Sequence, residues 1–182
     1  MHAIRLDGFD KAKARRWLEH ASKFLETDPV YAFISTWIIF NYYYGTFSGS
    51  NPKSFIEWSR PNASGSDGDK AQWRYLISQP IFKALLERYY TRNPSVCGAT
   101  MDLPVINLRN GYPVPENVSG STRIGTLSPE QLFSVLYQIR SNLFHGMKDP
   151  DKDVRDLELS RKAAEFMVPF CYLLVEQTGP GQ

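Results

Sequence analysis

The stretch Ser128-Pro129-Glu130-Gln131-Leu132-Phe133-Ser134-Val135-Leu136-Tyr137-Gln138-Ile139-Arg140-Ser141-Asn142-Leu143-Phe144-His145-Gly146 decides how the chain is read. Ser128 offers a helix-capping hydroxyl, Pro129 suits the first helical position, and Gln131 stands where a capping box needs it. Leu132, Val135, Leu136, Ile139, Leu143 and Met147 follow at helical spacing, and Gly146 with Asp149-Pro150 supplies the stop. The spacing predicts an amphipathic helix whose last turn carries several reactive side chains.

At about 100° per residue, Asn142 and His145 fall on nearly one face, and Arg140 stands roughly 140° around the helix from His145. A long guanidinium can bridge part of that angle, or the two can reach one phosphate from opposite sides of a symmetric dimer cleft. Cleaving RNA without a metal requires a group that takes the 2′-OH proton, one that protonates the leaving oxygen, and positive charge for the developing phosphorane. Imidazole exchanges protons near neutral pH and guanidinium binds phosphate through paired donors. His145 is therefore the candidate acid/base, Arg140 the candidate phosphate clamp and Asn142 a candidate orienting group. Ser141, Lys148 and Lys152 are candidate substrate contacts, within a basic run that continues through Arg155, Arg161 and Lys162. The plainer reading of the same residues is a helix C-cap and a solvated charged face.

Working outward, Ala14, Trp17, Leu18, Ala21, Phe24 and Leu25 form an apolar stripe between Asp10 and Leu25, with Lys11, Arg15, Arg16 and Glu19 opposite. Thr27-Asp28-Pro29 starts a second helix that is apolar nearly all round and is expected to run to Gly45, as suits the centre of a bundle. Asn41 is the polar exception there and needs hydrogen-bond partners if buried, so it is a candidate supporting residue. A third helical region is broken at Pro80, and a last helix over about 154–177 carries Pro169. Two segments, about 46–68 and 91–127, are rich in Gly, Pro, Ser and Asn and are expected to be irregular, with a short helix at Phe55–Trp58. The second is long enough to suggest a lid or insertion before the motif helix.

The chain has 182 residues, 42% of them hydrophobic, enough for one core without disulfides, so a single domain over 1–182 is expected. Its 21 Lys plus Arg against 19 Asp plus Glu leave a net charge of +2, so any RNA site must be local. Cys97 and Cys171 are far apart and no carboxylate pair at metal-ligand spacing accompanies His145, so no metal and no cofactor are assigned. The N-terminus, with Asp7, Asp10, Lys11 and Lys13, does not look like a secretory signal, and the most apolar run falls short of the roughly 20 residues of a membrane span. A cytoplasmic location is expected.

Arg140-Ser141-Asn142-Leu143-Phe144-His145-Gly146 resembles the signature of HEPN domains, an Arg separated from a His by a short gap. Trp37-Ile38-Ile39-Phe40-Asn41-Tyr42-Tyr43-Tyr44-Gly45 is similar to the Trp-x-x-Phe-Asn-x-x-Tyr-Gly helix of the Apea-like branch, and Arg155-Asp156 resembles another recurring feature. The resemblance covers about half the chain and leaves Gly45 to Leu127 mostly unmatched. It implies an all-α, antiparallel HEPN-type helical bundle, a homodimer around the motif helices, and RNA cleavage leaving a cyclic phosphate. The implied function is an endoribonuclease of a toxin or phage-defence system, with RNA as substrate and a separately encoded antitoxin or defence protein as partner. The position after Arg140 is commonly Asn, Asp or His in active members and is Ser141 here, which keeps open a noncatalytic module that binds RNA, a nucleotide or a protein.

Overall fold

Two helix starts set the frame. Asp28 accepts a hydrogen bond from the Tyr31 amide ahead of Pro29, and Ser128 and Gln131 complete a reciprocal capping box ahead of Pro129. The computed structural model describes residues 6, 8–62, 68–145 and 153–178. Among them the order is α1 (Lys11–Lys23), α2 (Pro29–Ser50), α3 (Pro52–Asn62), α4 (Gly68–Ser78), α5 (Pro80–Arg92), α6 (Pro94–Gly98), β1 (Thr100–Leu103), β2 (Val105–Ile106), β3 (Pro113–Val114), β4 (Gly120–Arg123), α7 (Pro129–Phe144) and α8 (Val154–Glu176). Helix accounts for 73% and strand for 8%, so the fold is mainly α. Among the described residues no helix is long and apolar enough to cross a membrane.

α2 lies at the centre, packed on α8, α1 and α4. Phe133 of α7 joins the layers, with its ring 5.1 Å from Phe40 of α2, 5.4 Å from Phe82 of α5 and 5.9 Å from Phe170 of α8. Such aromatic contacts add directional preference to ordinary burial, which fixes the angle at which helices meet.

Several expectations are corrected. α2 runs past Gly45 to Ser50 and α3 follows almost at once, so most of 46–62 is helical rather than irregular. The 91–127 segment contains α6 and two small antiparallel pairings, β1 with β4 and β2 with β3, with registers such as Met101 opposite Thr122 and Val105 opposite Val114. β2 and β3 have two residues each, too few to show alternation, and β1 alternates exposed and buried over only four, so the Gly- and Pro-rich composition reads as loop. Within the α1 stripe, Ala14, Leu18 and Ala21 are buried but Trp17 is 41% exposed. Ile38, read as part of an all-round apolar helix, is exposed as well. α8 continues as one helix across Pro169.

Candidate functional site

The end of α7 is built by three elements distant in sequence. Arg140 leaves α7 with Nη1 3.9 Å from Asp69 Oδ2, and Asp69 lies in the first turn of α4. The Tyr44 hydroxyl of α2 donates to the other Asp69 oxygen. Burial, then the hydrogen bond to Asp69, holds the Tyr44 phenol far above its ordinary range, so it stays a neutral donor. The Arg140 guanidinium also covers the Phe144 ring at 4.6 Å and the Tyr137 ring at 5.7 Å. Its side chain remains partly accessible, at 22%. Phe144 is 52% exposed, so an apolar ring and a cation face solvent together.

Beside this cluster, Lys70 and Trp73 of α4 face Tyr137 and Gln138 of α7 across a cleft of about 300 Å³. Tyr137 thus lies under Arg140 and in the cleft wall at once.

His145 is the C-cap of α7, with its amide donating to the Ser141 carbonyl at 3.2 Å and its side chain exposed. The Arg109 guanidinium is in direct contact with its imidazole, Nη2 lying 3.3 Å from Nδ1 and closer still to Nε2. Arg109 sits in the turn joining β2 to β3. There the Asn107 carboxamide oxygen accepts from the Arg109 amide at 3.0 Å, and Gly111, at φ +76°, donates its amide to the Asn107 carbonyl at 2.7 Å. A side chain at Gly111 would be strained in that conformation, so glycine closes the turn that presents Arg109.

Asn142 is buried, and its amide spans two elements. Its Nδ2 donates to the Ile106 carbonyl of β2 at 2.9 Å, and its Oδ1 accepts from Gln138 Nε2 at 2.7 Å. The residue therefore fastens the β2–β3 hairpin, and with it Arg109, to α7. Ser141 and Asn41 are half-buried. Lys148 and Lys152 lie outside the described residues, as does the stop at Gly146 and Asp149-Pro150. Further along, Arg155 binds Asp102 Oδ2 at 2.8 Å and the Asp102 and Pro104 carbonyls at 3.0 and 2.8 Å, joining α8 to β1. Arg161 and Lys162 pair with Glu158, and Lys162 also with Glu165. Those three cations are matched by local acceptors and form a structural face.

Sequence reading selected Arg140, Asn142 and His145 but missed Asp69, Tyr44 and Arg109. Tyr44 was visible within the Trp37–Gly45 motif. Arg109 had no signal, standing 36 residues from His145 in a segment read as loop. No family model, no curated protein and no solved structure matches the chain.

Proposed function

We propose that the chain is a HEPN-type domain acting as a metal-independent endoribonuclease of a toxin or phage-defence system, with the end of α7 as its active site. The observation that carries the reading is the meeting of Arg109 with His145, which puts fixed positive charge beside an exposed group able to transfer protons. His145 takes the proton of the 2′-OH, that oxygen forms a bond to phosphorus, the bond to the 5′ oxygen breaks, and the departing oxygen takes a proton from the now protonated His145 or from water. Arg109 and Arg140 offset the charge that gathers on the phosphorane. Phe144 offers a ring face for a neighbouring base. The reading includes a homodimer with one α7 end from each copy, a cytoplasmic location, and a separately encoded antitoxin or defence partner.

The Arg140–Asp69 contact favours a second reading. A guanidinium already facing a carboxylate binds phosphate less readily, and Ser141 departs from the pattern of cleaving members. On that reading the domain binds RNA, a nucleotide or a protein without cutting.

The discriminating experiment is incubation of labelled RNA with the protein in EDTA. The nuclease reading expects cleavage that is lost in Arg140→Ala and in His145→Ala while both variants stay folded. Retention of activity in either folded variant overturns the assignment, and tight binding without cleavage by the native protein selects the second reading.

A further inference from the structure

Trp17 is the clearest misfit between pattern and fold: it keeps helical spacing with Ala14, Leu18 and Ala21, yet it is 41% exposed while they are buried. Among the described residues it has no aromatic ring neighbour. It does not stand alone. Lys13, Arg16, Trp17 and His20 repeat at i, i+3, i+4 and i+7 along one face of α1, and with Tyr31 of α2 they line a groove of about 560 Å³. Tyr31 is 40% exposed.

The groove has built walls. Tyr31 is wedged edge-on against Phe24, with ring centres 4.8 Å apart, and its hydroxyl lies 3.0 Å from His20 Nε2. His20 itself meets Phe24 edge-on at 5.2 Å. The aromatic floor is thus held in place while its solvent side stays open.

Charge points the same way. α1 carries Lys11, Lys13, Arg15, Arg16 and Lys23 against Glu19 alone, an excess of positive charge that the +2 of the whole chain conceals. Lys11 is spent on the Glu176 and Thr178 carbonyls at the end of α8, and Arg15 faces Glu176 at 3.8 Å. Lys13 and Arg16 line the groove, Lys13 with its ammonium 5.6 Å over the Tyr42 ring, and among the described residues no carboxylate lines it with them.

Exposed π faces alternating with cations, with no acid among them, fit a polyanion whose rings are unstacked and free to turn toward the protein. We infer that the groove between α1 and α2 binds single-stranded RNA, with bases stacked on Trp17 and Tyr31 and phosphates neutralised by Lys13 and Arg16. The inference rests on the RNA reading above and adds to it a binding surface apart from the cleaving residues. Tyr31 and Tyr44 are 13 residues apart on α2, which is about 20 Å of helix at 1.5 Å per residue. A strand gripped at this groove is therefore held away from the Arg140 cluster, and the two sites can be tested separately.

The test is fluorescence anisotropy of labelled oligouridine, read with His145→Ala protein so that the RNA stays intact. Trp17→Ala is expected to weaken binding about tenfold, and Trp17→Phe, which keeps a ring, to restore most of it. Lys13→Ala with Arg16→Ala is expected to lower the slope of log affinity against log salt by about 1.4, from about 0.7 per phosphate contact in a single strand. Blunt-ended duplex RNA is expected to bind more weakly than oligouridine and to be indifferent to Trp17→Ala. Unchanged oligouridine affinity in both the Trp17→Ala and the double-cation variants overturns the inference and leaves the patch to a protein partner. With His145 intact, RNA cleavage at the native rate by the groove variants, together with unchanged oligouridine binding in the His145→Ala background, rejects the groove and leaves the nuclease reading standing. Groove-dependent binding with no cleavage by the native protein rejects the nuclease reading and leaves the groove.

Discussion

Asp69 Oδ2 lies 3.9 Å from Arg140 Nη1, which ties the first turn of α4 to the last turns of α7. The other Asp69 oxygen accepts from Tyr44, so one carboxylate joins the two segments on which the HEPN resemblance rests. Both partners of the ion pair are largely shielded, and removing one leaves the other poorly paired. Asp69→Ala is expected to cost about 2 kcal/mol of stability, measured by urea unfolding. Tyr44→Phe, which removes one hydrogen bond and keeps the ring, is expected to cost about 1 kcal/mol. Equal stability of native and Asp69→Ala proteins would show that the contact does not hold the helices together.

Asn142→Ala removes the amide between Ile106 and Gln138 and leaves buried polar groups unpaired. The expected loss is about 2–3 kcal/mol. Hydrogen exchange should quicken in the β2–β3 hairpin more than in α5, because the hairpin loses its tether. Uniform loss of protection across the fold would contradict a local fastening role.

How much of this could be read beforehand follows from how far each signal reaches along the chain. Capping residues act within one turn, so the starts at Pro29 and Pro129 were legible from Asp28, Ser128 and Gln131. Arg140 and His145 were legible from their spacing, five apart on one helix, together with the family resemblance. Asp69 and Arg109 were not legible, because their roles arise only when α4 and the β2–β3 turn close on α7. Asn142 was legible as a polar residue beside His145, but its burial depends on β2, whose two residues give no pattern. Trp17 misled because an apolar residue at the edge of a helical stripe fits either the core or a surface groove.

Arg155→Lys tests whether a guanidinium is needed where α8 meets β1. An ammonium cannot reproduce the fork that binds Asp102 and both carbonyls. The substitution is expected to cost about 1 kcal/mol and to speed exchange of the β1 amides. Full protection in Arg155→Lys would mean that charge alone suffices.

Stability should fall at alkaline pH. Burial pushes the Tyr43, Tyr44 and Tyr89 phenols well above their ordinary 10.0, Tyr90 up to about 12, and the Cys171 thiol above its ordinary 9.0. The folded protein keeps these groups protonated while the unfolded chain releases its protons, first from the thiol and then from the phenols. Their contribution is whole below pH 9 and is lost as pH climbs toward the folded values, by up to about 1.4 kcal/mol per pH unit for each buried group and by less for the partly exposed Tyr90. Urea unfolding midpoints should therefore drop between roughly pH 9 and pH 11, and a flat profile over that range would contradict the burial of these groups.

The central claim is that the end of α7 cuts RNA by attack of the neighbouring 2′-OH, and it is tested most directly by the ends of the products. RNA incubated with the native protein in EDTA and analysed by mass spectrometry should give 2′,3′-cyclic phosphate and 5′-hydroxyl termini, absent with His145→Ala. Intact RNA, or 5′-phosphate ends that form only when a divalent metal is supplied, would contradict it.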